Sequence, residues 1–226
     1  MKAGDIFSYM EMCQFENKTL QRGMNYNLNN NIFLMSLREN APYADRVEDD
    51  GKVLIYEGHD IQKNHTEQNP KEVDQPEFNP SGKRTQNGLF HQAAQKAKTG
   101  TKPEFVKVYE KLRDGVWTYN GLFKLIDSWK EDDQNNRKVF KFKLILTEEL
   151  CNNETEQELI QTRIIPSEVK KKVWIRDNGH CTICGSKENL HFDHIIPFSK
   201  GGSSLVVENI QLLCAKHNLN KRDKIE

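Results

Sequence analysis

The chain has no surplus of either charge. Its 226 residues carry 33 Lys and Arg against 33 Asp and Glu, so it lacks the broad basic excess by which a DNA-binding protein is usually recognised. It has no long apolar run either, and a mean hydropathy of −0.80 leaves no stretch of about 20 apolar residues to span a bilayer. The opening residues, MKAGDIFSYMEMCQF, contain no basic segment leading into an apolar one, so no secretory leader is expected. Cysteine is scarce: five in all, three of them within the last 46 residues. That odd, clustered count argues against a disulfide framework and for a metal site in a reducing, cytoplasmic setting.

The neutrality is a sum of unlike halves. Residues 1–162 carry 22 basic and 26 acidic side chains, and residues 163–226 carry 11 and 7. The composition changes at the same place. TEELCNNETEQELIQT, residues 147–162, is acidic and poor in core-forming side chains. It reads as a connector, which divides the chain into 1–147, a linker over 148–163, and 164–226.

In the first part, Arg137–Leu146 places Phe140, Phe142, Leu144 and Leu146 on one face and Lys141 and Lys143 on the other. That period of two predicts a half-buried antiparallel strand. Asn31–Leu37, Val53–Tyr56 and Pro103–Leu112 have similar strand character. Asn87–Lys98 predicts a helix, because Phe90, Ala93, Ala94 and Ala97 fall on one stripe. The polar stretch His59–Gly88, about thirty residues with three prolines, is longer than loops inside compact domains usually are. The residues alone give a mainly β domain, a curved sheet or barrel with a helix or two outside it.

GDIF, LQRGMNYN, IFLMSLRENAPYADRVEDDGKVLIYEGHD, GKRTQNGLF and DGVWTYNGLFKLIDSWKEDD occur in the order of the corresponding segments of the SRA (YDG) domain, and residues 3–147 resemble that family. The resemblance implies binding to double-stranded DNA that carries a modified cytosine, which is flipped into a pocket between two aromatic rings and read by an Asp. Tyr43 and Tyr56 match the aromatic positions, and Asp45 is the candidate reader, with Asp49 or Asp50 as alternatives. Unstacking a base costs a few kcal/mol, and stacking on aromatic rings returns about 1–3 kcal/mol. Without the resemblance, the two tyrosines read as ordinary strand aromatics. The chain departs from the family twice: the Tyr-Asp-Gly signature is Tyr119-Asn120-Gly121, and the glycine-rich turn after the second aromatic is Glu57-Gly58-His59-Asp60.

The last part carries the more specific chemistry. Cys181-Thr-Ile-Cys184 and Cys214-Ala-Lys-His217 are two pairs at knuckle spacing, with 29 residues between them. A turn bearing two thiolates and a helix bearing Cys and His three apart can close a tetrahedral zinc site. A segment of some sixty residues with few large apolar side chains needs such a staple. Cys13 and Cys151 stand apart from it.

Between and after the pairs come His191-Phe-Asp193-His194-Ile-Ile-Pro197, Gly201-Gly202, Asn209 and Asn218-Leu-Asn-Lys221. These resemble the HNH (ββα-metal) endonucleases over residues 166–224. The resemblance implies His194 as general base, Asp193 and Asn218 as ligands of a catalytic Mg²⁺ (Mn²⁺ or another divalent ion being an alternative), and Asn209 as the residue holding the loop beside His194. His217 and Asn218 compete for the family's final position. Adjacent helix residues point about 100° apart, so His217 is assigned to zinc and Asn218 to catalysis. Before this motif, Pro166-Ser167 opens a predicted helix, with Val169, Val173 and Trp174 beside Lys170, Lys171, Lys172 and Arg176. Those cations read as a solvated face or as phosphate contacts.

Together the resemblances imply an α+β chain with an SRA-like reader and a zinc-stapled HNH cutter, the layout of modification-dependent type IV-like restriction endonucleases. One HNH site cuts one strand, so double-strand cleavage requires a homodimer or two independent nicks. The competing readings are an HNH nicking enzyme whose β domain binds unmodified nucleic acid, and a non-catalytic reader of modified DNA. No membrane partner is expected.

Overall fold

The computed structural model describes residues 1–27, 30–49, 52–147, 165–197 and 200–221. The expected linker over 148–163, Cys151 and Asp50 lie outside these. The described chain forms strands β1 (Ile6–Phe7), β2 (Met24–Asn25), β3 (Asn31–Met35), β4 (Arg46–Glu48), β5 (Val53–Glu57), β6 (Glu104–Arg113), β7 (Val116–Asp132), β8 (Lys138–Leu146), β9 (Leu190–His194) and β10 (Ile210–Cys214). Its helices are α1 (Tyr9–Phe15), α2 (Gln86–Lys98), α3 (Ser167–Arg176) and α4 (Ala215–Lys221). The main sheet runs β2-β3-β6-β7-β8-β5-β4 with β1 added against β7, and β9 pairs with β10 separately.

Two compact units emerge, and they do not follow the division at residue 147. One holds Leu20–Val108 and Leu122–Leu146; the other holds Met1–Thr19, Tyr109–Gly121 and the chain from Thr147 onward.

In the first unit, alternation buries Phe140, Phe142 and Leu144 of β8. Phe33, Phe90 and Phe142 meet edge to face around them, with centroids 4.7–6.4 Å apart. The opposite face of β8 is only partly solvated: Ile145 is exposed, but Lys141 is buried and its Nζ lies 2.7 Å from Glu57 Oε2. Helix α2 begins where Thr85 accepts the backbone N–H of Gly88, a side-chain cap for an otherwise orphaned donor. The long loop before it is held in place. Arg137, buried, donates to Asp60 Oδ1 at 2.7 Å and to the carbonyls of Pro70 and Val73. Gln75 bonds the backbone of Gly58 and Phe140.

In the second unit, Leu112, Ile165, Val169, Val173, Leu190, Phe192, Ile210, Leu212 and Leu213 form one buried cluster, with Ile6, Val116 and Trp174 packed on it. The N-terminal residues bridge two strands. Ile6 and Phe7 pair with Thr118 and Trp117 of β7, while Asp5 pairs with His191 of β9 and Gly4 O accepts from Phe192 N–H. His191, given no role from the sequence, bonds Asp5 Oδ1 at 2.6 Å.

Lys170 of α3 corrects the sequence reading. It is neither solvated nor presented to phosphate, but buried, with Nζ 2.7 Å from Glu110 Oε2 and 2.8 Å from Asn120 Oδ1. Asn120 also donates to Glu110 at 3.0 Å, and the Ser167 hydroxyl donates to the same carboxylate. Burial works against charge on Glu110, but Lys170 and these donors hold its carboxyl below the usual range. The network explains the altered signature: an amide at position 120 both accepts from the ammonium and donates to the carboxylate, whereas an Asp would add a second buried anion. Lys170→Met is expected to cost about 3–5 kcal/mol in urea unfolding, because it leaves Glu110 charged and unpaired in the interior. Adding Glu110→Gln should return much of that loss; a double variant as unstable as the single one would count against the pair.

Candidate functional site

Cys181 and Cys184 lie on the turn after α3, which is fixed to the strand pair by Thr182 N–H donating to Leu212 O at 2.9 Å. Cys214 ends β10, and His217 follows in the first turn of α4. The ligand atoms of all four lie within 4.8 Å of one another. His217 Nδ1 is 3.2 Å from Cys214 Sγ and 3.5 Å from Cys181 Sγ, and Cys184 Sγ is 3.8 Å from Cys214 Sγ. Burial pushes the Cys181 thiol up, but the N–H groups of Cys214, Cys184 and Ile183, together with His217, outweigh it and bring it down to about 6. A thiol held that low presents thiolate, the form that binds zinc. This Cys₃His cluster therefore suits a tetrahedral zinc ion.

Strands β9 and β10 pair antiparallel, with His194 opposite Ile210 and Asp193 opposite Gln211. Successive strand residues face opposite sides, so Asp193 and His194 are adjacent but divergent. Asn209, just before β10, clamps the next segment. Its Oδ1 accepts from Ile196 N–H at 2.8 Å, and its Nδ2 donates to the carbonyls of Ile196 and Ser203, each at 3.1 Å. Gly202 is required there, since a Cβ would fall 1.7 Å from Ile196 O.

Two neighbours were given no role from the sequence, although Lys221 belongs to the Asn218-Leu-Asn-Lys221 motif. His194 Nε2 shares a 2.8 Å hydrogen bond with the buried hydroxyl of Ser204. Lys221, buried at the end of α4, places Nζ 2.5 Å from Asp193 Oδ2 and also donates to the carbonyl of His194. Burial lowers the His194 pKa, against the upward pull of Asp193 and with help from Lys221. The imidazole is therefore neutral near pH 7, with Ser204 engaging one ring nitrogen. Lys221 had a signal in its spacing from Asn218; Ser204, in a polar loop, had none. Asn218 is half-buried on α4 beside His217. Asp193 and Asn218 offer a carboxylate and an amide oxygen, hard donors of the kind Mg²⁺ takes.

In the other unit, Tyr56 lies on β5 and Asp45 immediately precedes β4. Asp45 Oδ1 accepts from Glu57 N–H at 2.9 Å and Oδ2 from Ser36 N–H at 3.3 Å. Burial raises its carboxyl to about 7, the two backbone donors opposing the rise. Tyr43 precedes it, with Lys71 Nζ 4.2 Å from the ring centroid. Burial, reinforced by the charge of Asp60, pushes the Tyr43 hydroxyl up to about 12. Asp49 sits exposed at the end of β4 with φ 50°. Asp45, by contrast, is bonded to the residue that follows Tyr56. His59, unassigned from the sequence, reaches both rings. It stacks on Tyr43 with centroids 5.3 Å apart and planes 20° apart, and its Nε2 lies 3.1 Å from the Tyr56 hydroxyl.

The fold and these sites define a chain with a mainly β domain and a zinc-type ββα module. Residues 1–149 match the SAD/SRA domain model and residues 181–224 match the HNH endonuclease model. The chain belongs to the SAD/SRA domain family, and it carries an HNH endonuclease domain in its C-terminal part. Among solved structures, it is similar to the SUVH5 SRA domain in complex with hemi-methylated CG DNA, at 24% identity over 69% of this chain and 94% of that one, with a TM-score of 0.47. It is also similar to the SUVH5 SRA domain bound to fully hydroxymethylated CG DNA, at 23% identity over 69% and 95%, with a TM-score of 0.49. Arabidopsis thaliana SUVH6 in complex with SAM matches at 20% identity over 87% and 32%, with a TM-score of 0.43. No curated protein matches the chain. Among the described residues, no helix is long and apolar enough to cross a membrane.

Proposed function

We propose that the chain is a modification-dependent DNA endonuclease, which flips 5-methylcytosine or a related modified cytosine into the Tyr43–Tyr56 site and hydrolyses phosphodiester bonds with its HNH site. The observation that carries this reading is the joint presence, in one chain, of an SRA domain and of Asp193, His194, Asn209 and Asn218 on a strand pair and helix beside a complete Cys₃His cluster. A reader that used the cluster only for folding would have no need of Asp193, His194 and Asn218 together.

At the HNH site, His194 takes the proton of the attacking water, for which a neutral imidazole is suited. Asn209 fixes the loop next to it. Asp193 and Asn218 would hold a divalent ion, preferably Mg²⁺, which offsets charge on the phosphate and on the departing 3′ oxygen. Cleavage then leaves a 5′ phosphate.

At the base site, Tyr43 and Tyr56 supply stacking and Asp45 reads the base edge. Cytosine presents ring N3 as an acceptor and its exocyclic amine as a donor. A neutral carboxylic acid matches both, and a carboxylate matches only the amine. With its pKa near 7, Asp45 provides the matching form at and below neutrality, and selectivity should weaken as pH rises through that value.

Matched plasmids, methylated and unmethylated at cytosine, digested with Mg²⁺ or with chelator, test the whole reading. Cutting confined to methylated DNA with Mg²⁺ supports it. Equal cutting of both would leave an HNH nicking enzyme without modification dependence, and no cutting with any divalent ion would leave a binding protein. Tyr43→Ala should reduce the preference for methylated DNA by about tenfold, the order of one lost base–aromatic stack.

A further inference from the structure

Tyr56 is 1% exposed, although a base that stacks on it needs one open face. Its ring lies against Phe33, with centroids 4.3 Å apart and planes 30° apart. Its hydroxyl is engaged by Leu34 O and by His59 Nε2. The imidazole of His59 in turn lies on Tyr43 in the near-parallel geometry that a base would adopt. Gly23 encloses it further: a Cβ there would fall 1.8 Å from His59 Nε2. The backbone carrying this ring is pinned, since His59 N–H donates to Asn87 Oδ1 and Asn87 Nδ2 donates to His59 O, both at 2.8 Å.

We propose that His59 sets the affinity threshold of the base site: its imidazole occupies the space that Tyr43 and Tyr56 share, and a flipped cytosine enters only by displacing it. The proposal rests on the reading of Tyr43 and Tyr56 as the base pocket. With the main chain held by Asn87, displacement is a rotation about the side-chain torsions, and the domain need not deform. The occupied state is a neutral, desolvated imidazole. Burial brings its pKa down to about 4, Asp60 acting upward and Lys71 downward; Asp45 and Glu57 stand beside Tyr56. A ring that competes with the base lowers apparent affinity by the fraction of molecules in which the pocket is open. Every flipped base bears that loss alike, so His59 sets how much a base must gain from the pocket to stay bound and leaves the ratio between bases unchanged.

His59→Ala, in a His194→Ala background that prevents cleavage, removes the competitor. It should bind a duplex carrying one 5-methylcytosine about tenfold more tightly than the His194→Ala parent, as expected for a pocket open in about a tenth of molecules. Unchanged or weaker binding by the folded variant overturns the proposal, weaker binding because it would make His59 a partner of the base. Should His59→Ala fail to fold, histidine-labelled protein with the native pocket gives the same answer by NMR. The His59 ring should stay neutral down to about pH 4 when free, and titrate near the ordinary histidine value with saturating modified duplex. An unchanged titration overturns displacement. Tyr43→Ala in the same background separates the two readings. If it leaves the preference for modified DNA intact, the pocket lies elsewhere. If it removes the preference while His59→Ala fails to tighten binding, only the role of His59 is lost.

Discussion

His194→Ala should lower the single-turnover cleavage rate by at least about 10²–10⁴-fold, the usual contribution of a positioned general base, while leaving affinity for modified DNA unchanged. The argument is geometric first. His194 ends β9, where pairing with Ile210 and the clamp from Asn209 hold its backbone on both sides. Ser204 engages Nε2 at 2.8 Å, leaving Nδ1 as the nitrogen to take a proton from water. Burial lowers the pKa, so the ring is already unprotonated at neutral pH. Because the side chain belongs to the HNH module and has no part in the base pocket, binding and cleavage should separate cleanly. Stopped-flow or quench-flow cleavage beside fluorescence anisotropy on the same methylated duplex reads both quantities. If binding fell in parallel with cleavage, His194 would be a structural or DNA-contacting residue and another base would have to be sought.

Cys214→Ser, or prolonged chelation, should unfold the strand pair β9–β10 and α4. Structural zinc contributes about 10–16 kcal/mol of apparent binding energy in small zinc-dependent folds, as much as the whole net stability of a typical domain, about 5–15 kcal/mol. Cys214 is the shared point of that structure: it closes β10, donates to the cluster and leads into α4. Losing it removes a ligand and the anchor for both Asn218 and Lys221. Cleavage should vanish, and limited proteolysis should open the chain beyond residue 165. Metal analysis should find about one zinc per chain in the parent and none in the variant. Full proteolytic protection with no zinc bound would show that the apolar cluster around Phe192 and Leu212 suffices by itself.

The strands with simple alternation were legible. β8, β5 and β6 fall within a residue or two of the stretches that their aromatic and branched residues mark, and α2 follows its stripe of Phe90, Ala93 and Ala94. Strand β7 was not legible as a strand, although it is the longest. Gly121 interrupts its pattern with φ 119°, and a bulge between Leu125 and Asp127 switches its faces. Short β1, β2 and β4 offer two or three residues each, too few for any period to emerge. The Cys₃His set was legible because ligand spacing is local: two residues between paired donors is a property of turns and helices, and only the joining of the pairs needs tertiary structure.

By itself, then, the sequence determined the zinc-ligand pairs, the order of the HNH residues, the β character of the first part and the unequal division of charge that sums to zero. All of these depend on side-chain type and local spacing. Only the tertiary structure decided that residues 4–7 lie between β7 and β9, that Lys170 is buried on Glu110 and Asn120, and that the ring of His59 fills the space beside Tyr43 and Tyr56. Each joins residues far apart in the chain, and each turns on the same physical point. A cation can be buried when distant groups supply every hydrogen bond it needs. A ring settles wherever distant segments leave a matching gap. Neither condition is written in the residues next to it.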